Sequence, residues 1–270
     1  MYKAIISDLD GTLLNSHHMI SEYTKNVIKK IIKEKDVKFI IATGRHYIDA
    51  SCFMKQLGAK SYLISSNGAN AHTSDGELLI EHLMDKKDVE RILNIQVDKD
   101  VIVNAYTSNG WDVDRMLPDF NAYHKESGFA PNIVDFKNYD KEDILKFCYI
   151  GEKEKIEELE NKIREDKKLV EDITLTASLD ICLEIMKKDV SKGKTLKEIL
   201  DREGIKLSEA IAFGDGLNDE EMLSVVGKGL IMGNASEKLK KAQPNLEVIG
   251  TNDEDAEAKY LEKIFLEAEW

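Results

Sequence analysis

The sequence predicts an α/β fold: a doubly wound parallel sheet into which a smaller α+β unit is inserted. Two textures point to it. From residue 4 to residue 65, and again after Ser191, short apolar runs alternate with helical periodicity. Between about Leu83 and Met186, several strand-like runs follow one another with fewer helices between them. Alternation implies parallel strands joined by right-handed crossovers, whereas consecutive strands beside helices mark an α+β unit. The predicted layout is a first core segment over residues 1–82, an insert of ordinary domain size over 83–186, and a second core segment over 187–270.

The first apolar run, Ala4-Ile5-Ile6, ends in Ser7-Asp8-Leu9-Asp10-Gly11-Thr12. Gly11 permits a sharp turn just past the strand. Two carboxylates one residue apart repel unless a cation or a shared proton intervenes, so Asp8 and Asp10 suggest Mg²⁺ or acid–base chemistry. An Asx-type turn with a solvated acidic pair is the plainer alternative. Ser21 caps a helix running to about Lys35, with Val27, Ile28, Ile31 and Ile32 on its apolar face. A second strand over 38–42 runs into Thr43-Gly44-Arg45, and a helix follows as far as the stop at Gly58. A third strand, 62–65, leads into Ser66-Asn67-Gly68-Ala69.

In the insert, 88–96 reads as helix. Residues 101–106 and 111–116 read as strands joined by the turn Thr107-Ser108-Asn109-Gly110. A strand over 144–150 precedes a charged helix over 152–166, whose Ile156, Leu159 and Ile163 form one stripe, and strands over 173–176 and 181–186 close the unit. The second core segment opens with a helix over 193–202 ended by Gly204. The strand 210–213 then enters Gly214-Asp215-Gly216-Leu217-Asn218-Asp219. Strands over 229–232 and 246–249 and a helix over 255–267 complete the chain.

Composition narrows the function classes. With 42% hydrophobic and 33% charged residues, the 270-residue chain has material for a proper core and a well-solvated surface, as a monomer or small homo-oligomer. A formal charge of −13, from 38 basic and 51 acidic residues, argues against a nucleic-acid-binding surface. No apolar run reaches the length of a membrane span, and the N-terminus lacks a signal-peptide pattern. The cysteines Cys52, Cys148 and Cys182 are odd in number and form no CxxC pair, so a reducing cytoplasm is the expected compartment. His17-His18 falls in a predicted loop, where a solvated pair is the plain reading.

Four strand-end or helix-start segments carry the chemistry. A phosphate monoester needs charge neutralisation, an in-line nucleophile and proton transfer to its leaving oxygen. Asp8 can attack phosphorus as carboxylates do when they form an aspartyl-phosphate, and Asp10 can give and take the proton. Thr43 offers a hydroxyl and Gly44 an N–H at a helix start, which suits an anion. Lys192 offers positive charge, while Asp8 and Asp215 are oxygen ligands of the kind Mg²⁺ prefers. Arg45 is either a substrate contact or a member of a surface ion pair. Taken singly, each also has a bland reading as a turn or a solvated charge.

Taken in order, they resemble a known family. Asp8-Leu9-Asp10-Gly11-Thr12, Thr43-Gly44-Arg45, Lys192-Gly193 and Gly214-Asp215-Gly216-Leu217-Asn218-Asp219 match the four motifs of the haloacid dehalogenase superfamily. Asn67-Gly68-Ala69 and Met232-Gly233-Asn234-Ala235 look like the further marks of its Cof-type phosphatases, whose type IIB cap has the size of the insert. The resemblance implies a Rossmann-like core and Mg²⁺-dependent hydrolysis of a small phosphorylated metabolite, a sugar phosphate or similar, through an aspartyl-phosphate. It implies Asp8 as nucleophile, Asp10 as acid–base and backbone metal ligand, and Asp215 as metal ligand. Leu9 (by its backbone), Thr43, Gly44, Lys192 and Asn218 would contact phosphate, with Asp219 behind the metal ligands. A phosphomutase of the same superfamily, or a phospho-accepting regulatory module, are the alternatives. The chain departs from the pattern at Thr195, where Ala is frequent, and at Ala242-Gln243 and Asp255-Ala256, where Ala-Asp and Asp-Gly are common.

Overall fold

The computed structural model describes residues 2–58, 61–116, 124–176 and 181–267. Strands β1 (Ala4–Ser7), β2 (Lys38–Ala42) and β3 (Ser61–Ser65) pair in parallel, with helices α1 (Glu22–Lys35) and α2 (Tyr47–Leu57) as the crossovers between them. The predicted caps hold. The Ser21 side chain accepts from Thr24 N, and Gly58 ends α2 in the left-handed region at φ 61°. A hairpin, β4 (Asn70–Thr73) and β5 (Leu78–Glu81), then adds two antiparallel strands beside β3. The sequence announces only half of it: β5 is the apolar run Leu78-Leu79-Ile80 after the turn at Asp75-Gly76, whereas β4 reads Asn-Ala-His-Thr, with no apolar run, and is held by pairing with β3.

After α3 (Lys86–Leu93), a second sheet is built from β6 (Ile102–Thr107), β7 (Trp111–Val113), β8 (Asn132–Ile133), β9 (Ile144–Ile150), β10 (Ile173–Thr176) and β11 (Cys182–Lys187). Its order is β10-β11-β9-β6-β7-β8, antiparallel except for the short β7–β8 pair. Side chains on a strand alternate between faces. Phe147, Tyr149, Leu183 and Ile185 pack with Ile156, Leu159 and Ile163 of α4 (Lys153–Glu165) and with Leu169 of α5 (Lys167–Asp172). The alternate positions Lys146, Cys148, Ile150, Cys182 and Glu184 line a cavity on the opposite face.

The chain then resumes the first sheet through α6 (Lys192–Glu203), β12 (Ala210–Gly214), α7 (Glu220–Val225), β13 (Lys228–Ile231), α8 (Glu237–Ala242), β14 (Glu247–Val248) and α9 (Ala256–Glu262). β12 pairs in parallel with the free side of β1, giving the order β14-β13-β12-β1-β2-β3-β4-β5. Ile5, Phe39, Ile41 and Phe213 pack on one face with the helices α1, α2 and α9, and Ile6, Ile40, Ile64 and Ala212 on the other with α6. The sheet is thus covered on both sides, as a doubly wound sheet must be. Succession runs outward in opposite directions from β1 and β12, so the crevice beyond their carboxyl ends is where such a sheet binds ligands. Among the described residues no helix is long and apolar enough to cross a membrane.

The departure at Thr195 has a local cause. Its buried Oγ1 donates to Gly68 O at 2.7 Å and ties α6 to the turn after β3, a bond that alanine cannot make. Asp255 takes the left-handed conformation itself, at φ 54°, and its Oδ1 accepts from Thr24 Oγ1 at 2.9 Å.

Glu257 of α9 lies wholly inside, and burial pushes its carboxyl up to about 8 against the opposing contact from Ser7. Ser7 Oγ is 2.7 Å from both Glu257 Oε2 and Asp8 O. One hydroxyl proton serves only one acceptor, so both contacts are met when Glu257 keeps its proton and donates to Ser7. A carboxyl raised above its unfolded value contributes stability that is complete below the unfolded pKa and is lost as pH rises through the folded one. Across that window the loss is about 1.4 kcal/mol per pH unit. Glu257→Gln, which keeps a donor at every pH, is expected to flatten this part of the stability curve between about pH 4.5 and pH 8. Thermal melts of both proteins that fall in parallel over that range would rule the protonated Glu257 out.

Candidate active site

Asp8 follows β1, Asp215 follows β12, and Lys192 opens α6, so three elements deliver their charges to one crevice. Lys192 Nζ donates to Asp8 Oδ1 at 2.6 Å and to Asp219 Oδ1 at 2.7 Å, and is 1% exposed. Asp219 also accepts the backbone N–H groups of Asp215 (3.0 Å) and Gly216 (2.9 Å) on Oδ2, which fixes the loop after β12. Thr12 Oγ1 donates to Asp215 Oδ1 at 3.0 Å. Gly11 is what lets these loops meet: at φ +77°, a Cβ there would lie 2.4 Å from Asp215 Oδ2.

Asp8, Asp215 and Asp219 each offer a carboxylate oxygen within 4.8 Å of the others. Burial pushes the Asp8 carboxyl well above the usual range; Lys192 opposes this, and Asp219 and Asp215 add to it. Burial and then Asp219 push Asp215 up to about 7. Burial disfavours the charged form of Lys192, yet Asp219 and Asp8 hold it above the usual lysine range. Among the described residues, then, three close carboxylates share one buried ammonium. The cluster is short of positive charge, and its donors are all oxygen, which suits a hard divalent cation such as Mg²⁺.

Asp8, Asp10, Thr43, Gly44, Arg45, Asp215 and Asn218 line one cavity of about 500 Å³. Lys192 and Asp219 lie buried behind it, and the Leu9 side chain packs in the core, so Leu9 can serve only through its backbone. Thr43 Oγ1 accepts from Arg45 N at 3.0 Å, holding the loop after β2. Arg45 is not at the surface. Its Nε and Nη2 donate to Asp10 Oδ2 and Oδ1 at 2.7 and 2.5 Å, while Nη1 donates to Asp49 Oδ2 at 3.2 Å. The guanidinium grips the second carboxylate of the first motif. His18 Nδ1 lies 3.7 Å from Asp10 Oδ1, at the rim of the same cavity.

The second sheet forms the facing wall, and here are the residues that sequence reasoning missed. Lys146 Nζ donates to Gly44 O at 2.8 Å, pairs with Glu184 on the neighbouring strand, and sits 4.8 Å over the Tyr106 ring. Asn67 Nδ2 donates to Glu184 Oε2 at 2.7 Å, and Asn218 Nδ2 donates to Asn67 Oδ1 at 3.0 Å. A line of buried and half-buried polar contacts thus joins the second sheet to the loops after β2, β3 and β12. His46 adds another, donating from Nε2 to Thr107 O at 2.9 Å while Nδ1 accepts from Ile48 N. Burial pushes the His46 imidazole down to about 4, and a neutral ring is what this donor–acceptor pattern requires. A signal was available: Lys146 is the one charge in the buried run Ile144–Ile150.

Residues 5–261 match the family model described as haloacid dehalogenase-like hydrolase. A Haemophilus influenzae protein is 39% identical over 267 residues, 98% of this chain and 97% of that one. A Serratia proteamaculans protein named HMP-PP phosphatase is 33% identical over 264 residues, 97% of this chain and 95% of its own length. Among solved structures, a haloacid dehalogenase-like hydrolase from B. subtilis superposes with a TM-score of 0.84 at 27% identity, covering 96% of this chain and 99% of that one.

Proposed function

The chain belongs to the haloacid dehalogenase-like hydrolase family and is a phosphoric monoester hydrolase, and we propose that it works on small phosphorylated metabolites through a phospho-enzyme formed on Asp8, in a site that holds Mg²⁺. The observation that carries this reading is the buried cluster itself: Asp8 within 4.8 Å of Asp215 and Asp219, bonded to Lys192 and open to the cavity.

Asp8 attacks phosphorus while the bond to the ester oxygen breaks, and Asp10 gives that oxygen its proton. Asp10 then takes a proton from the water that attacks the phospho-enzyme, and the bond to Asp8 breaks to release phosphate. Thr43, the Gly44 and Leu9 backbones and Asn218 hold the phosphate oxygens, and Lys192 balances charge on Asp8. Bound to the Asp8 and Asp215 carboxylates and the Asp10 carbonyl, with Asp219 behind them, Mg²⁺ would supply charge neutralisation.

Residues 83–186 act in this reading as a cap that excludes water and sets specificity. The support is the wall of Tyr106, Cys148 and Ile150, which faces the cluster and suits a leaving group with a flat apolar body. HMP-PP, for which the Serratia relative is named, is the first compound to test, ahead of sugar phosphates. The compartment we propose is the cytoplasm, supported by the odd cysteine count without a CxxC pair.

The test is phosphate release from a panel of phosphate esters with and without Mg²⁺. A phosphorylated isomer formed without free phosphate, or a stable phospho-enzyme without turnover, would overturn the reading. Asp215→Ala is expected mainly to weaken metal binding, because it removes one of two carboxylate ligands. Its activity should return in part at high Mg²⁺; a metal titration like that of the wild type would sink the assignment.

A further inference from the structure

Asp49 has no part in the reaction described so far, yet it is 1% exposed at the start of α2 and contacts elements from both sheets. Its Oδ2 accepts from Arg45 Nη1 at 3.2 Å and lies at ion-pair distance, 2.9 Å, from His124 Nδ1. Its Oδ1 accepts the hydroxyl of Ser127. His124 and Ser127 belong to the loop between β7 and β8 of the second sheet. Burial alone would push the Asp49 carboxyl up; His124, Arg45 and Ser127 outweigh it and hold the carboxyl below the usual range. It is therefore a fixed, buried anion, and such a group is costly unless its partners are in place.

Arg45 is the link. Nε and Nη2 hold the two oxygens of Asp10, and the third nitrogen, Nη1, is held by Asp49. A guanidinium is planar with its donors in a rigid fork, so pinning one side fixes where the other points. We propose that Asp49 is a positioning residue for the phosphoryl-transfer step. It anchors Arg45 so that Asp10 faces the leaving oxygen, and it makes that anchoring depend on the His124–Ser127 side of the second sheet being seated on the core. The inference rests on the reading of Asp10 as acid–base given above.

Leaving-group dependence tests it. Nitrophenolate leaves with little help from an acid, whereas an alkoxide needs the proton, and kcat/KM reports the steps through phospho-enzyme formation. The measurement is kcat/KM of the Mg²⁺-loaded enzyme on 4-nitrophenyl phosphate and on glycerol phosphate, for wild type, Asp10→Asn, Asp49→Asn and Ser127→Ala. Asp10→Asn calibrates the pair of esters, losing far more on the alkyl ester. Asp49→Asn is expected to lose about 10–100-fold on glycerol phosphate, within what misplacing a catalytic group costs, and less than about 3-fold on the aryl ester. Ser127→Ala should shift the ratio the same way by a smaller factor, and inhibition by inorganic phosphate should be unchanged.

Equal losses on both esters would make Asp49 merely structural and overturn the inference. If Asp10→Asn itself loses equally on both, the assignment of Asp10 falls and the role of Asp49 falls with it. If Asp10→Asn discriminates and Asp49→Asn does not, only the role of Asp49 falls. Should Asp49→Asn fail to fold, Asp49→Glu, which keeps the charge and moves it by one methylene, takes its place on the same two esters. A larger loss on glycerol phosphate then supports the positioning role, and equal losses overturn it.

Discussion

Asp8→Asn is expected to abolish phosphate release while leaving the protein folded. An amide does not attack phosphorus, and removing a covalent nucleophile typically costs on the order of 10⁶ in kcat. The fold should survive, because the amide oxygen can still accept from Lys192, whose Nζ is 2.6 Å from Asp8 Oδ1. Without metal the variant should melt no lower than the wild type, since burial, with Asp219 and Asp215, works against a charge at this position and outweighs Lys192. Phosphate release at near-wild-type rate would remove Asp8 as nucleophile. A collapse of the melting temperature would instead mean that the lost activity reports the fold.

Lys192→Met should do the reverse, damaging fold and activity together. The ammonium is buried between Asp8 and Asp219, each within 2.7 Å. Removing one partner of a buried ion pair leaves uncompensated charge and costs about 3–5 kcal/mol. In a chain of this size that is a fall of roughly 2–4 °C in melting temperature per kcal/mol. Phosphate release should fall as well, because the charge that balances Asp8 is gone. A melt in chelator within about 2 °C of the wild type would show that the cluster is not held together by this lysine, and added Mg²⁺ should narrow the gap if the same cluster takes the cation.

How far the site is legible in the sequence follows from how local each part is. Asp8, Thr43, Lys192 and Asp215 sit at the ends of elements whose limits the sequence itself marks, with Gly58 and Gly204 as left-handed stops. Their convergence follows from strand order, since each lies at the same end of a parallel sheet. What is not legible depends on pairing across the chain. Strand β4 lacks an apolar pattern and is held because β3 offers an edge. Arg45 carries no sign of which carboxylate it will hold, because Asp10 is 35 residues away. Lys146 and Glu184 stand out in their strands as charges among apolar residues, but only the antiparallel register of β9 and β11 brings them together.

The two-part construction of the first sheet also has a consequence for how the chain is made. Ala4 pairs on one side with Lys38 and on the other with Ala210. On a ribosome adding about 5–20 residues per second, the strand that carries Asp8 therefore waits roughly 10–30 s between its first neighbour and its second. All six strands of the second sheet are synthesised in that interval, and their pairings, such as Ile102 with Ile150, are far more local than that of Ala4 with Ala210. The second sheet can fold while β1 still presents an open edge, and open edges are where chains aggregate. Pairing across so long a stretch also slows the final step. Chains released before Ala210 would keep the second sheet and lack one side of the first, and their exposed β1 edge makes them the species that quality control has to remove.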